Sequence, residues 1–356
     1  MRNEKTLEER KKEMDAAMAS IRKELGKESI MRLGDASSLI EVETFSSGSL
    51  GLDVALGGGI ARGRIVEVFG PESSGKTTLA LHMIAEVQRA GGLAGFIDAE
   101  HALDPVYAQA IGVDLDELYF SQPDSGEQAI EVLKRMIATG DLDVVVVDSV
   151  AALTPKCEID GDISDANVGA HARLMSKSMR VICGAASKAN CTVVFINQLR
   201  EKVGVMYGSP EVTTGGKALK FYASQRIDVR KRETLKSDGS ATANRTRAKV
   251  VKNKIAPPFK EAEFEITFGR GINRLAELVD AALALGIVVR SGAWFSYRDG
   301  DREVKVQGLE GFRDAVADDA ELCDSLYDAI EAQMSAKKRT RAAEEPAEAE
   351  FEDGCE

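Results

Sequence analysis

The most specific chemical signal in the sequence is a glycine-rich octet, GPESSGKT, at residues 70–77. It fits the pattern G-x-x-x-x-G-K-[ST], whose glycines let backbone N–H groups curl around phosphate oxygens. A predicted strand precedes the octet and a predicted helix follows it, as this motif requires. The helix N-terminus adds partial positive charge. We expect Lys76 to reach the β- and γ-phosphates of a nucleotide and the Thr77 hydroxyl to ligate Mg²⁺.

Two carboxylates are placed to complete such a site. Asp148 ends the run Val144–Val147, so it lies at the carboxyl end of a predicted strand, where ligands bind in open α/β sheets. It is the candidate acidic partner of the metal, through water. Glu100 follows a second strand at the same edge, and hydrolysis needs a group that orients or deprotonates water. Asp98 and His101 compete with Glu100 for that role.

The elements that must position these residues alternate between strand and helix. Strands are predicted at residues 65–69, 95–98, 144–147 and 192–196, and helices at residues 77–89, 127–138 and 173–189. The valine run shows no alternation, which is typical of a strand buried on both faces. This order predicts a parallel sheet covered by helices. Strands near residues 225–229, 249–251 and 264–268 indicate an antiparallel extension.

The N-terminal segment is predicted to be a charged helix. Met14, Met18, Ile21 and Leu25 are spaced so that they form one stripe along it. The stripe either packs on its own domain or docks on another subunit, and the sequence leaves both alternatives open.

Composition narrows the class of protein. Of 356 residues, 46 are Lys or Arg and 58 are Asp or Glu, for a net charge of −12. A chain this acidic is not expected to be a passive nucleic-acid coat, although local charge can still bind DNA. No apolar run reaches the ~20 residues of a membrane span, and no secretory signal is recognised, so we expect a cytoplasmic protein without membrane partners. The scattered cysteines indicate neither a zinc ribbon nor a disulfide framework.

Several long segments together resemble the bacterial RecA recombinases. The resemblance is carried by residues 26–34, 70–78, 96–105, 142–155, 204–224 and 249–255, in the family's order. It covers almost the whole chain and weakens after about Trp294. It implies an α/β fold: a P-loop NTPase core of the RecA type with a mostly parallel central sheet flanked by helices, an N-terminal helical arm and a small α+β C-terminal domain.

The resemblance also implies roles at an ATP site. Glu100 would activate water, Asp104 and Tyr107 would contact adenine, and Asp148 and Ser149 would lie near Mg²⁺ and the γ-phosphate. Gln198 would sense the γ-phosphate and report it to the loop that follows. The residues expected to bind the triphosphate are Gly70, Pro71, Glu72, Ser73, Ser74, Gly75, Lys76, Thr77 and Thr78.

Lys252 and Lys254 would, by the same resemblance, reach the ATP of a neighbouring subunit. They are two residues apart, so on a strand both would point to one face. Two cations there could neutralise transition-state charge in trans, as an arginine finger does. From the residues alone, a solvated strand face is the alternative.

DNA contacts are expected around two loops, near residues 160–168 and 199–213. The spacing of Arg173, Ser176 and Arg180 places them on one helical face. The resemblance implies that they contact the phosphates of single-stranded DNA, without sequence preference, and that Val168 and Val203 wedge between base triplets. The remaining expected contacts are Arg200, Lys202, Gly215 and Gly216.

The resemblance divides the chain into four parts. Residues 1–37 would be an oligomerisation arm, residues 38–273 the ATPase core, residues 274–336 a domain that captures duplex DNA, and residues 337–356 a disordered basic-then-acidic tail. Expected partners are single-stranded DNA, double-stranded DNA, further copies of the chain in a helical filament, and the repressor of the SOS response, whose self-cleavage the filament would promote. ATP and Mg²⁺ are the expected cofactors.

Two other classes of function remain open at this stage. The chain could serve mainly as a regulatory scaffold that promotes self-cleavage of the repressor. It has no plausible Ser-Lys or Ser-His pair of its own, so it would assist the cleavage and not perform it. It could instead be a helicase or a repair accessory protein built on the same core. The predicted arm and the pair of lysines favour the recombinase.

Overall fold

The computed structural model describes residues 5–27, 29–32, 42–162, 167, 169–201, 211–237, 239–300 and 302–344. Two compact units are present, residues 1–43 and 44–356. The helices are α1 Leu7–Leu25, α2 Leu50–Leu56, α3 Lys76–Arg89, α4 Pro105–Ile111, α5 Gly126–Ala138, α6 Lys156–Ile159, α7 Ala170–Lys188, α8 Ala218–Tyr222, α9 Arg274–Ala284, α10 Leu309–Asp318 and α11 Ala320–Glu344. No helix in these ranges is both long enough and apolar enough to cross a bilayer.

The strands fall into three sheets in the described ranges. They are β1 Thr44–Phe45, β2 Ile60–Ala61, β3 Ile65–Gly70, β4 Ala94–Asp98, β5 Leu118–Ser121, β6 Val144–Asp148, β7 Thr192–Glu201, β8 Glu211–Thr213, β9 Gln225–Ser237, β10 Ser240–Asn253, β11 Glu261–Thr267, β12 Gly271–Ile272, β13 Val289–Ser291, β14 Trp294–Asp299 and β15 Arg302–Gln307.

Helix α1, in the first unit, begins with a capping box. The Thr6 hydroxyl accepts a hydrogen bond from the Glu9 N–H, and the Glu9 carboxylate accepts one from the Thr6 N–H. Along the apolar stripe only Met18 is buried, while Met14 and Leu25 are 53% and 74% exposed. An exposed stripe is what docking on another subunit requires, and that alternative stays a prediction.

The central sheet has the order β12-β11-β10-β9-β3-β7-β6-β4-β5, with β8 paired to β7. Pairing from β9 to β5 is parallel along this path, whereas β10, β11 and β12 add antiparallel strands to β9. The expected α/β class with a mostly parallel sheet and an antiparallel extension is therefore confirmed.

Helices cover both faces of this sheet. The valines of β6 divide between them: Val144 and Val146 join the core packed by α3, and Val145 and Val147 join the core packed by α5 and α7. Successive strand residues point to opposite faces, and both faces are apolar, which explains why the sequence shows no alternation here. The parallel strands end at one edge, which is the edge that carries the predicted chemistry.

The C-terminal part has an apolar core of its own. Phe295 of β14 and Phe312 of α10 lie at its centre, with ring centroids 6.3 Å apart. It meets the part of the chain that carries the central sheet where Glu277 of α9 reaches Ser49, the N-cap of α2. The Ser49 hydroxyl donates to the Glu277 carboxylate at 2.5 Å. Burial raises the pKa of Glu277 to about 7, because ionisation without water is costly.

Two predictions are corrected by the observed elements. Helix α11 continues through residues 337–344, which we expected to begin a disordered tail; its Ala, Lys, Arg and Glu residues favour a helix. Residues 345–356 lie outside the described part. Strand β10 ends at Asn253, so Lys254 lies beyond it and the two lysines do not share a strand face.

Candidate nucleotide site and DNA-facing surface

The phosphate loop joins β3 to α3 at the carboxyl edge of the sheet. Gly75 has φ +93°, and a Cβ there would lie 2.4 Å from Ile266 Cδ1, so only glycine fits. The Lys76 ammonium is nearly buried and donates to the Pro71 carbonyl at 2.6 Å. Burial lowers the pKa of Lys76, while the carboxylates of Asp148 and Glu100 act in the opposite direction. The loop therefore presents a cation and the N-terminus of a helix to one point, as phosphate binding requires.

Asp148 lies directly beside Thr77. The Thr77 hydroxyl donates to Asp148 Oδ2 at 2.7 Å, so two oxygen atoms that could ligate a metal are adjacent where α3 begins and β6 ends. Burial raises the pKa of Asp148 to about 6, partly offset by this hydrogen bond. Oxygen ligands beside a phosphate loop are what Mg²⁺ prefers, so the residues fit that ion.

Glu100 is held from two strands at the same edge. The Ser149 hydroxyl donates to Glu100 Oε1 at 2.5 Å, and the Gln198 amide donates to the same oxygen at 2.6 Å. The N–H groups of Ala99 and Glu100 both donate to the Asp148 carbonyl, at 2.7 and 3.2 Å. The structure therefore brings together an exposed carboxylate, the acidic strand end and the glutamine.

The two competitors of Glu100 are placed differently. Asp98 is buried and accepts hydrogen bonds from the N–H groups of Ala102 and Leu103 and from the Gln122 amide. These bonds shape the turn after β4 and leave Asp98 away from solvent. His101 is exposed and has φ +56°. Glu100 is thus the acidic side chain of this turn that meets Gln198.

A cavity of about 330 Å³ adjoins the loop. Tyr107 lines it and its hydroxyl is 3.0 Å from the Thr78 hydroxyl. Asp104 caps α4 by accepting from the N–H groups of Val106 and Tyr107, at 2.9 and 3.2 Å. Four lining residues were not predicted: Asn244, Thr246, Ile266 and Phe268. They come from the antiparallel extension, and no motif in the sequence points to them.

Lys252 lies far from this chain's own phosphate loop. It pairs with Arg226 near the start of β9, and Arg226 in turn pairs with Glu67, whereas the loop begins after Gly70. These positions belong to the amino edge of the parallel strands. The Lys252 ammonium donates to the carbonyls of Lys220 and Phe221, each at 2.9 Å, at the end of α8.

Lys254 contributes to the charge at this edge. Burial lowers the pKa of Lys252, and the positive charge of Lys254 lowers it further. Lys254 itself is exposed. The two cations are therefore neighbours at the amino edge even though the strand ends between them.

Part of the expected DNA surface lies on α7. Arg173 and Arg180 are exposed and line one groove of about 580 Å³ with Ser176 and Val181. Lys177 lines the same groove and was not predicted, although its spacing of four from Arg173 could have identified it.

The other expected DNA contacts are only partly described. Gly215 lies two residues after β8 with φ +78°, and a Cβ there would lie 2.9 Å from Val150 Cγ1, so its backbone fits closely against the turn that follows β6. Gly216 comes next, and Arg200 is exposed near the end of β7. Val168, Lys202 and Val203 lie outside the described residues.

The sheet, the phosphate loop and the acidic groups at its edge define a P-loop NTPase. Two family models match the chain: the RecA N-terminal domain over residues 12–273 and the RecA C-terminal domain over residues 276–335. The chain belongs to the RecA family.

Curated relatives agree with these matches over most of their length. The chain is 55% identical to Protein RecA of Methylobacterium sp. (strain 4-46), covering 92% of this chain and 89% of the relative. It is 56% identical to Protein RecA of Rubrobacter xylanophilus, with 89% and 92% covered, and 54% identical to that of Corynebacterium glutamicum (strain R), with 95% and 89% covered. The chain is a DNA-dependent ATPase and recombinase that forms a filament on single-stranded DNA and exchanges strands with homologous duplex.

Proposed function

We propose that Glu100 is the residue that orients and deprotonates the water attacking ATP. Its carboxylate is exposed at the carboxyl edge and is fixed by hydrogen bonds from Ser149 and Gln198 to one oxygen. Gln198 is then able to sense the γ-phosphate, because a new contact with nucleotide competes with its bond to Glu100. This shared oxygen is the observation that carries the proposal.

Mg²⁺ would be held by Thr77 directly and by Asp148 through water. It would neutralise charge developing on the phosphates. Lys76 and the backbone N–H groups of residues 70–78 would hold the triphosphate, while Asp104 and Tyr107, which line an adjoining cavity together, would hold the adenine. The adjacency of Tyr107 and the loop in one cavity supports this division of the site.

Lys252 and Lys254 would act on the nucleotide of a neighbouring subunit. Their location at the amino edge of the sheet supports this, since the chain's own phosphate loop lies at the opposite edge. ATP would then join two subunits, and its hydrolysis would loosen them.

Single-stranded DNA would lie along α7 and the segment after β8. Arg173, Ser176 and Arg180 would contact phosphates, and Gly215 and Gly216 would offer backbone N–H groups. The exposed arginines of one helix face support this placement. The contacts proposed outside the described residues, or at the end of β7, are Val168, Arg200, Lys202 and Val203.

The remaining parts of the chain would serve assembly and duplex capture. Residues 1–37 would dock on a neighbour, residues 38–273 would form the ATPase core, and residues 274–336 would bind duplex DNA, with residues 337–356 as a charged tail. We further propose that the filament assists self-cleavage of the SOS repressor and acts in the cytoplasm.

ATP hydrolysis with and without single-stranded DNA, in the wild type and in Glu100→Gln, tests the proposal. We expect DNA to stimulate the wild type, and the variant to lose on the order of 10²–10⁴-fold in rate while still binding ATP. Glu117→Gln, at an exposed position with no assigned role, is the matched control. A Glu100→Gln rate equal to that of the control would refute the assignment.

A further inference from the structure

A charged pair is buried inside the central sheet, away from water. Glu67 of β3 is 0% exposed, and it accepts from Arg226 of β9 at 2.5 Å. The Arg226 guanidinium also lies 4.5 Å from the centre of the Phe69 ring. Burying two charges rarely stabilises a fold compared with apolar residues of the same size. The pair is therefore better explained by a role in positioning its neighbours.

The second carboxylate oxygen of Glu67 contacts a neighbouring strand. It accepts from the side-chain amide of Asn197, at 2.9 Å, on the neighbouring strand β7. A carboxylate paired with Arg226 accepts and does not donate. The Asn197 NH₂ group must consequently face Glu67, and its carbonyl oxygen must face the other way.

Asn197 then joins two functional segments. Its carbonyl oxygen accepts from the Gln198 N–H at 2.9 Å and from the Thr214 hydroxyl at 2.5 Å. Its NH₂ group also donates to the Thr214 carbonyl at 3.2 Å. Both donors and both acceptor sites of the amide are used. Thr214 directly precedes Gly215, where the proposed DNA-contacting segment begins.

We infer that Asn197, oriented by the buried Glu67–Arg226 pair, is the positioning residue that couples Gln198 to the segment beginning at Thr214. A change in the backbone of Gln198, when its side chain leaves Glu100 for nucleotide, alters the hydrogen bond to Asn197 and so the bonds to Thr214. The inference rests on the proposed sensing role of Gln198. It adds the buried residues that connect this role to DNA.

The test compares the affinity of a fluorescent oligo(dT) in the presence of a slowly hydrolysed ATP analogue with its affinity in ADP. Asn197→Asp has nearly the same shape but sets a second carboxylate against Glu67 and loses both donors. We expect the ratio of the two affinities to fall by about 5-fold or more, the lower end of typical coupling effects. Asn190→Asp, which adds the same charge at an exposed turn, should keep the wild-type ratio.

Rescue separates positioning from general damage. In the double variant Glu67→Gln/Asn197→Asp, the new amide can donate to the new carboxylate, and the total charge equals that of the wild type. We expect this variant to regain part of the ratio that Asn197→Asp loses, with both variants compared by their melting temperatures. If Asn197→Asp does not fold, the single variant Glu67→Gln provides the test. An amide at position 67 can both donate and accept, so it no longer fixes the orientation of Asn197. The ratio of the two affinities should again fall.

Gln198→Asn distinguishes failure of the inference from failure of the sensing role. If Gln198→Asn loses the ratio and folded Asn197→Asp keeps it, the inference is wrong and Gln198 still senses nucleotide. If Gln198→Asn keeps the ratio, the sensing role is wrong and the inference falls with it.

Discussion

At the scale of single residues, the site is held together by hydrogen bonds to two carboxylates. Glu100 Oε1 receives bonds from Ser149 and Gln198, and Asp148 Oδ2 receives one from Thr77. A bound nucleotide and its metal would compete with these oxygens for Gln198 and Thr77. Nucleotide binding is therefore expected to rearrange existing hydrogen bonds.

Tyr107 offers a prediction about the base. Its hydroxyl is 3.0 Å from Thr78, and its ring lines the cavity beside the loop. If the ring stacks on adenine, Tyr107→Phe should keep ATP affinity close to that of the wild type. Tyr107→Ala should weaken it by about 10-fold, because stacking of a base on an aromatic ring contributes roughly 1–3 kcal/mol. Equilibrium binding of a fluorescent ATP analogue measures both, and equal losses in the two variants would contradict stacking.

Sequence motifs predicted much of this site. The octet, Glu100 after β4 and Asp148 at the end of β6 are local to strand ends, so spacing places them at one edge, whereas Gln198, inside β7, was expected only from the resemblance. The cavity wall contributed by Asn244, Thr246, Ile266 and Phe268 could not be predicted. These residues reach the loop only because β10 and β11 extend the sheet past it, and the pairing of distant strands leaves no mark in local spacing.

At the scale of elements, parallel strands were predictable because buried valine runs and intervening helices have distinct patterns. The ends of the strands were harder to predict: β7 continues to Glu201, and β10 ends before Lys254. The strand ends at Asn253, between the two lysines, and its register also shifts between Val250 and Lys252. Such bulges depend on cross-strand packing, which one strand's sequence does not encode.

The contact between α2 and α9 gives a prediction about pH. The pKa of Glu277 is raised from 4.5 to about 7, chiefly by burial, and Asp53 raises it further. The folded state thus binds the proton more tightly than the unfolded state. This contribution to stability is fully present below about pH 4.5 and is lost as pH rises through about 7. A pKa difference of this size corresponds to a contribution of about 3 kcal/mol to the free energy of unfolding.

Glu277→Gln should remove this dependence. The amide oxygen can still accept from Ser49, and the variant cannot ionise. We expect the free energy of unfolding at pH 8 to exceed that of the wild type, and the two to converge near pH 5. Denaturant unfolding at both pH values measures this, with exposed Glu310→Gln as the control. A variant less stable than the wild type at pH 8 would show that the charged form is accommodated.

At the scale of the whole molecule, the nucleotide loop and Lys252 occupy opposite edges of one sheet. Two chains with complementary defects can test whether they act together. Glu100→Gln and Lys252→Ala should each be nearly inactive alone, since a cation in trans is worth about 10³–10⁵-fold in related enzymes. Mixed on one DNA strand, they should recover activity, because a Glu100→Gln subunit still offers Lys252 to a neighbour with intact Glu100.

In an equal mixture that assembles at random, about a quarter of the interfaces have this order, which sets the expected recovery. Steady-state ATP hydrolysis across a series of mixing ratios measures it, with electron microscopy to verify that filaments form. Activity that merely averages the two separate variants would show that Lys252 does not act on a neighbour's nucleotide.

The opposite placement of Lys252 and the phosphate loop also means that the two ends of an assembly are unlike. If Lys252 acts on a neighbour's nucleotide as proposed, a row of n subunits would contain n − 1 completed nucleotide sites, because the loop of the terminal subunit at one end would meet no neighbouring lysine. That subunit would keep its ATP, and the lysines of the subunit at the other end would meet no nucleotide. Short rows would then hydrolyse less ATP per subunit than long ones. ATP would also persist longest at one particular end of the row.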